Sequence, residues 1–233
     1  MFERLRESLD PALFWEYRHT LIAGFGQNIS IFLTSAVLAT ALAFIIGSAR
    51  LSKRRIVRLS AAGYAEFFRN TPEYILLVWV YYILPILITG LLRTRFDFSP
   101  YMAAVLALGV AYSGFMSETV RAGLLSVPKG HIEAAMSLGL SRWHITWRVV
   151  APQAVRRMLP DALNQYVSLF KATSIVSLIA VEDIMYRVSM VNVEQMRPLP
   201  LYTGAALLYC VIIIAASQAI QRLTDGWRRR GWA

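Results

Sequence analysis

The sequence predicts an all-α polytopic membrane protein of about five spans. Three observations carry that expectation. The 233 residues are 57% hydrophobic with mean hydropathy +0.49, above the roughly half-apolar composition of soluble domains. The apolar residues fall in uncharged runs long enough to cross about 30 Å of hydrocarbon as helix. The cations (24 Lys and Arg against 14 carboxylates, net charge +10) cluster beside those runs, as the positive-inside rule requires. That placement excludes a nucleic-acid partner, which calls for a basic face rather than basic flanks. One domain accounts for the length.

Residues 1–20 place Phe2, Leu5, Leu9 and Leu13 at helical spacing among Glu3, Arg4, Arg6, Glu7 and Asp10, which predicts a helix lying flat on the membrane. No clean apolar run and small-residue cleavage site follow, so it does not read as a signal peptide. Residues 27–49 are the first span, and Arg50, Lys53, Arg54, Arg55 and Arg58 follow it at once. That cluster is expected in the cytoplasm, with the N-terminus outside. Residues 57–92 are too long for one plain crossing, and Pro72 inside them must bend or break the helix. A short external loop, 93–100, leads to a third span at 101–121, where Gly109, Ser113 and Gly114 permit close helix approach. Residues 126–160 return to the cytoplasm, 161–181 are the fourth span, 182–200 an external loop and 201–220 the fifth span. Arg222, Arg228, Arg229 and Arg230 close the chain inside, so an odd number of spans is self-consistent.

The cytoplasmic segment is the long stretch that resembles neither lipid-buried helix nor flexible loop. Ser126 and Pro128 signal a helix start. Glu133, Ala134 and Ala135 read as strong helix, Gly139 can take the left-handed conformation that ends one, and Ser141 can cap the next. Two short helices bent at a glycine result. Their apolar positions, Ala135, Leu138, Ile145 and Val149, lie among Lys129, His131, Arg142, His144 and Arg148. Periodicity alone fits an element on lipid headgroups as well as a protein-docking surface.

Chemistry of its own is not expected from this chain. No G-x-x-x-x-G-K-S/T cradle for ATP phosphates is present, nor an H-E-x-x-H zinc pair. His19, His131 and His144 are scattered, and Cys210 is the one cysteine, within an apolar run. No catalytic residue, metal or cofactor is predicted. Charges within spans are the remaining signal, since a cation at mid-helix costs about 2.5–3.5 kcal/mol on insertion scales. Lys171 lies about ten residues into its span, on a polar stripe with Asp161, Asn164, Gln165 and Ser168. Arg69 lies at similar depth, with Glu66, Asn70 and Glu73 on one face. Such groups either line a water-filled path or pair internally. Glu66 with Arg69, Arg69 with Glu73, and Glu118 with Arg121 have the spacing for pairing.

Glu133-Ala134-Ala135, three residues, Gly139, nine residues, then Val149-Val150-Ala151-Pro152 resembles the EAA loop of ABC importer permeases, whose form is EAA-x3-G-x9-I-x-L-P. Val149 and Ala151 depart from it. Phe68-Arg69-Asn70-Thr71-Pro72, Glu118-Thr119-Val120-Arg121-Ala122-Gly123 and Lys171-Ala172-Thr173-Ser174 resemble the polar amino-acid subfamily, in order and at family-like spacing. The resemblance implies a multi-pass permease of the bacterial inner membrane that moves a polar or charged amino acid. It implies as partners a cytoplasmic ABC ATPase dimer, an extracytoplasmic amino-acid-binding protein and a second permease subunit, identical or paralogous, within membrane lipid. Glu133, Ala134, Ala135, Gly139 and Leu140 become the ATPase-coupling candidates. Glu66, Arg69, Asn70, Glu73, Asn164, Ser168, Lys171 and Thr173 become candidates for the substrate pathway. The alternative from another class is a homo-oligomeric channel or passive pore lined by the polar stripe of the fourth span; a channel has no reason to carry EAA-x3-G.

Overall fold

A computed structural model describes residues 15–229, and all regular structure among them is helical. Helix α1 spans Arg18–Ala49. Its uncharged run from Thr20 onward contains no proline, so nothing separates a surface helix from the first span. The helix therefore begins well before residue 27. The first fourteen positions of the expected surface helix lie outside the described residues.

The long second segment divides as Pro72 dictates. Helix α2, Arg55–Asn70, is followed by Thr71 in an extended conformation (φ −89°, ψ 124°), because a proline ring disfavours helical backbone at the residue before it. Helix α3, Glu73–Leu92, then runs for 20 residues. It widens to a π-turn at Trp79–Ile83, where the Leu84 amide bonds back to the Trp79 carbonyl. Pro85 explains that turn. A proline lacks the amide and collides with the carbonyl four residues back, and an inserted residue relieves the collision. The same device recurs at Ile145–Val150, just ahead of Pro152.

Helix α4 is Pro100–Leu125, with Ser99 Oγ accepting from the Met102 amide. Helix α5 is Lys129–Ser137. Helix α6, Arg142–His144, passes through the second π-turn into helix α7, Ala151–Ala172. Pro160 lies inside α7. The chain tightens into a 3-10 helix at Thr173–Ile179. The expected external loop contains helix α8, Ile184–Gln195, whose Ile184, Val188 and Val191 are buried at helical spacing. Helix α9 is Pro198–Arg229.

Among the described residues, α1, α3, α4 and α9 contain stretches long and apolar enough to cross a membrane unaided. The expected fourth crossing falls on α7 and the 3-10 helix, which carry Asp161, Asn164, Gln165 and Lys171. Length and hydropathy therefore do not mark it.

The chain packs as two compact units. Unit one takes described residues up to 36, with 72–109 and 167–216. Its core joins Leu21, Phe170, Ile184, Val188, Val191, Leu201, Ala205 and Tyr209. Phe25 and Phe32 meet Phe170 edge-on at 6.3 and 5.8 Å. Within this apolar mass lies a buried polar knot. Asn28 is wholly buried. Its amide nitrogen donates to Thr173 Oγ1 (3.1 Å), the Thr173 carbonyl (3.2 Å) and Asp183 Oδ2 (3.3 Å), and its oxygen accepts the Ile184 amide (3.1 Å). One turn earlier, Gly24 lets α1 approach the start of α8. A Cβ there would lie 2.8 Å from the Ile184 nitrogen and 2.9 Å from the Asp183 carbonyl carbon.

Unit two takes 37–71, 110–166 and residues from 217. Polar bonds fasten its helices: Thr40 with Tyr166 (2.6 Å), Tyr64 with Ser113 (2.8 Å) and His131 with Gln153 (2.8 Å). Arg157 donates to the Ser126 carbonyl. Glu118 accepts from Arg50 at 2.6 Å and from Arg121 at 2.5 Å.

Candidate functional site

The bent pair of helices in unit two is built by local chemistry. Val127 is buried and anchors the segment, and Pro128, extended (φ −59°, ψ 134°), starts α5. Gly139 adopts φ +73°. The Gly139 amide bonds the Met136 carbonyl (2.9 Å) and the Leu140 amide reaches back to the Ala135 carbonyl (3.2 Å). That bond pair is a Schellman ending, which needs a left-handed residue where Gly139 stands. Ser141 then caps the next helix: its Oγ accepts the His144 amide at 3.4 Å and meets His144 Nδ1 at 2.8 Å. Helix α5 packs against the π-turn, burying Ala135 and Ile145.

The coupling candidates therefore separate by role. Ala135 faces inward and sets how closely the two arms meet. Glu133, Ala134 and Gly139 are exposed, and Leu140 is half-buried. Met136 and Leu138 join them on the open surface; Leu138 is 80% exposed. The result is a bent knuckle with a small-residue and apolar face, carrying one carboxylate. Met136 had no distinguishing signal in the sequence, since its position fits either face of a nine-residue helix.

The pathway candidates fall in both units. In unit two, Arg69 pairs with Glu66 at 3.5 Å. Asn70 Nδ2 donates to the Glu66 carbonyl (2.7 Å) and to its carboxylate (3.2 Å). These three form one polar cluster at the end of α2, beside the Thr71–Pro72 break. Asn164 is exposed on α7. In unit one, Glu73 opens α3 half-buried, Ser168 is half-buried and Lys171 is exposed. The first turns of α3 pack against the 3-10 helix, so Glu73 and the Thr173 segment lie on neighbouring elements. Thr173 is wholly buried. It donates to the Phe170 carbonyl (2.7 Å) and accepts from Asn28, so it fastens the turn that presents Lys171.

Two groups escaped the sequence reading. Arg50 was expected only as a flanking cation, yet its side chain is 11% exposed and completes an Arg–Glu–Arg triad on Glu118; the Glu118–Arg121 pair was expected from its spacing. Asp183, buried, caps α8 by accepting the Tyr186 amide at 2.9 Å. Burial pushes its carboxyl up to about 6, against the opposing pull of the Tyr186 and Asn28 hydrogen bonds. Its capping bond is local, but its side-chain partner Asn28 is 155 residues away along the chain, beyond the reach of any local pattern. Unit one also holds a cavity of about 540 Å³ lined by Tyr81, Tyr82, Pro85, Thr89, Arg95 and Asp97 among others, which contains none of the candidates.

The helical fold, the membrane-long helices and the glycine-bent knuckle fit one class, the membrane component of a transport system. The chain belongs to the family described as binding-protein-dependent transport system inner membrane component, which its residues 35–230 match. It is 33% identical over 212 residues to the octopine transport system permease protein OccM of Rhizobium meliloti, covering 90% of this chain and 86% of that one. It is 28% identical over 203 residues to the histidine/lysine/arginine/ornithine transport system permease protein HisQ of Salmonella typhimurium, covering 85% and 89%. Its fold matches a crystal structure of an amino acid ABC transporter with histidines at TM-score 0.82 and 24% identity, over 93% of this chain and 98% of that one.

Proposed function

We propose that this chain is the transmembrane subunit of an ATP-driven importer that moves an amino acid with a cationic side chain across the bacterial inner membrane. The observation that carries the importer reading is the knuckle at Gly139. A rigid, bent, exposed pair of helices joined to membrane helices suits the transfer of a partner's closing motion, and this chain lacks a phosphate cradle of its own. ATP hydrolysis then belongs to a partner ATPase dimer that meets Glu133, Ala134 and Gly139. A substrate-loaded binding protein meets the external face, and a second permease subunit, identical or paralogous, completes the path.

Two features support a cationic amino acid. The relatives' names specify octopine and histidine, lysine, arginine and ornithine. Two candidate pathway carboxylates, Glu66 and Glu73, flank the Thr71–Pro72 break in the sequence, one more negative charge than Arg69 between them can neutralise. The test is uptake into vesicles reconstituted with permease, ATPase and binding protein. Labelled arginine should accumulate with ATP, and glutamate and glutamine should not. Accumulation of glutamate in preference would overturn the substrate class, and accumulation of any of them without ATP would overturn the importer.

A further inference from the structure

The segment from 142 to 159 has a face that neither the fold nor the knuckle uses. It holds four arginines, one histidine and no carboxylate. Ile145, Ala154 and Met158 turn inward and are buried, whereas Trp143, Trp147 and Val155 are exposed at 69%, 58% and 41%. The two indole rings meet at 5.4 Å, tilted by 57°, and form an exposed aromatic pair. Arg142 and Arg148 are exposed beside it. Arg157 is otherwise engaged, on the Ser126 carbonyl. The segment follows α4, which is long and apolar enough to span, with α5 between them, so it is held near the bilayer surface.

We propose that this face seats on the anionic headgroups of the cytoplasmic leaflet, with Trp143 and Trp147 at the headgroup level and Arg142 and Arg148 on lipid phosphates. The charge balance selects lipid over a protein partner. Two exposed arginines beside a tryptophan pair, on a segment without a carboxylate, fit a surface of uniform negative charge. The seat fixes the distal arm of the knuckle against the membrane, so movement at Gly139 is passed to α7 rather than lost in rotation of the segment.

The test places a fluorophore on Val155→Cys in a Cys210→Ser background, in the complete chain reconstituted in bilayers. Brominated phosphatidylglycerol should quench it more than brominated phosphatidylcholine, with and without the ATPase present. Arg142→Gln with Arg148→Gln should reduce that preference by about fivefold per arginine removed, and the two Arg→Lys changes should keep it. Absence of quenching, or equal quenching by both lipids, would overturn the proposal. Quenching that disappears on adding the ATPase would overturn it in favour of a protein-docking face. None of these readings requires transport, so they stand apart from the importer assignment.

Discussion

Asn28 is the residue on which unit one turns. Its amide is wholly buried and satisfies groups on the 3-10 helix and at the start of α8. Asn28→Ala strands the Ile184 amide and leaves Asp183 Oδ2 without its donor while Oδ1 keeps the Tyr186 amide, each lost partner costing about 1–3 kcal/mol. We expect a loss of roughly 2–4 kcal/mol, read as a lower denaturation midpoint in mixed micelles. Asp183 adds a pH dependence. Its folded carboxyl titrates at about 6, above the roughly 3.9 of an unfolded chain, so the folded state holds the proton more tightly. This group's contribution is fully present below about pH 4, declines as pH rises to about 6, and is flat beyond; the fall amounts to roughly 3 kcal/mol. Asp183→Asn should abolish that slope in a stability-versus-pH series. Lys171 is different: it is exposed and its turn is fastened by others. Lys171→Ala should leave the denaturation midpoint within about 0.5 kcal/mol of the parent while reducing uptake; unchanged uptake would remove it from the pathway. The i,i+3 pairs could be read from spacing, as Glu66–Arg69 and Glu118–Arg121 show. Arg50 with Glu118 and Asn28 with Asp183 could not, because the fold alone joins them.

At the scale of elements, prolines and glycines wrote most of what was readable. Pro72 separates α2 from α3, and Gly139 ends α5 with the expected left-handed backbone. The π-turns ahead of Pro85 and Pro152 follow from the same steric conflict but need the rule that a proline acts on the turn before it. Helix α8 was missed although its signals are local: Asp183 as cap, then Ile184, Val188 and Val191 at helical spacing. Its modest length between two spans made it read as loop. Gly139→Ala tests the knuckle. A Cβ there meets nothing within 4 Å, so the cost is purely conformational, roughly 1–2 kcal/mol for a left-handed non-glycine residue. The chain should insert and fold as the parent does, with the angle between α5 and α6 altered.

At the scale of the molecule, hydropathy found the long helices but not all the boundaries. Helix α1 starts at Arg18 rather than at residue 27, and the segment expected as the fourth span, 161–181, falls on α7 and the 3-10 helix, whose polar groups keep hydropathy alone from marking it. Orientation is a proposal from the cation clusters, with the N-terminus outside and the C-terminus cytoplasmic. In a Cys210→Ser background, needed because Cys210 is exposed, cysteines at Lys53 and Ser141 should react only with reagents in the cytoplasm. A cysteine at Asp97 should react from outside. Labelling of Ser141→Cys by an impermeant reagent in intact cells would reverse the topology.

The central claim is that the Gly139 knuckle couples a partner's ATP hydrolysis to movement of the membrane helices. Its most direct measurement is binding-protein-stimulated ATP hydrolysis read beside substrate uptake in reconstituted vesicles, for the parent, Gly139→Ala and Glu133→Lys. Gly139→Ala should lower uptake about tenfold, the equivalent of its conformational cost, through weak ATPase binding or hydrolysis without transport. Glu133→Lys, reversing the exposed charge, should give a related loss. Full stimulation together with full uptake in both variants would contradict the account and leave the knuckle as no more than a membrane-surface element.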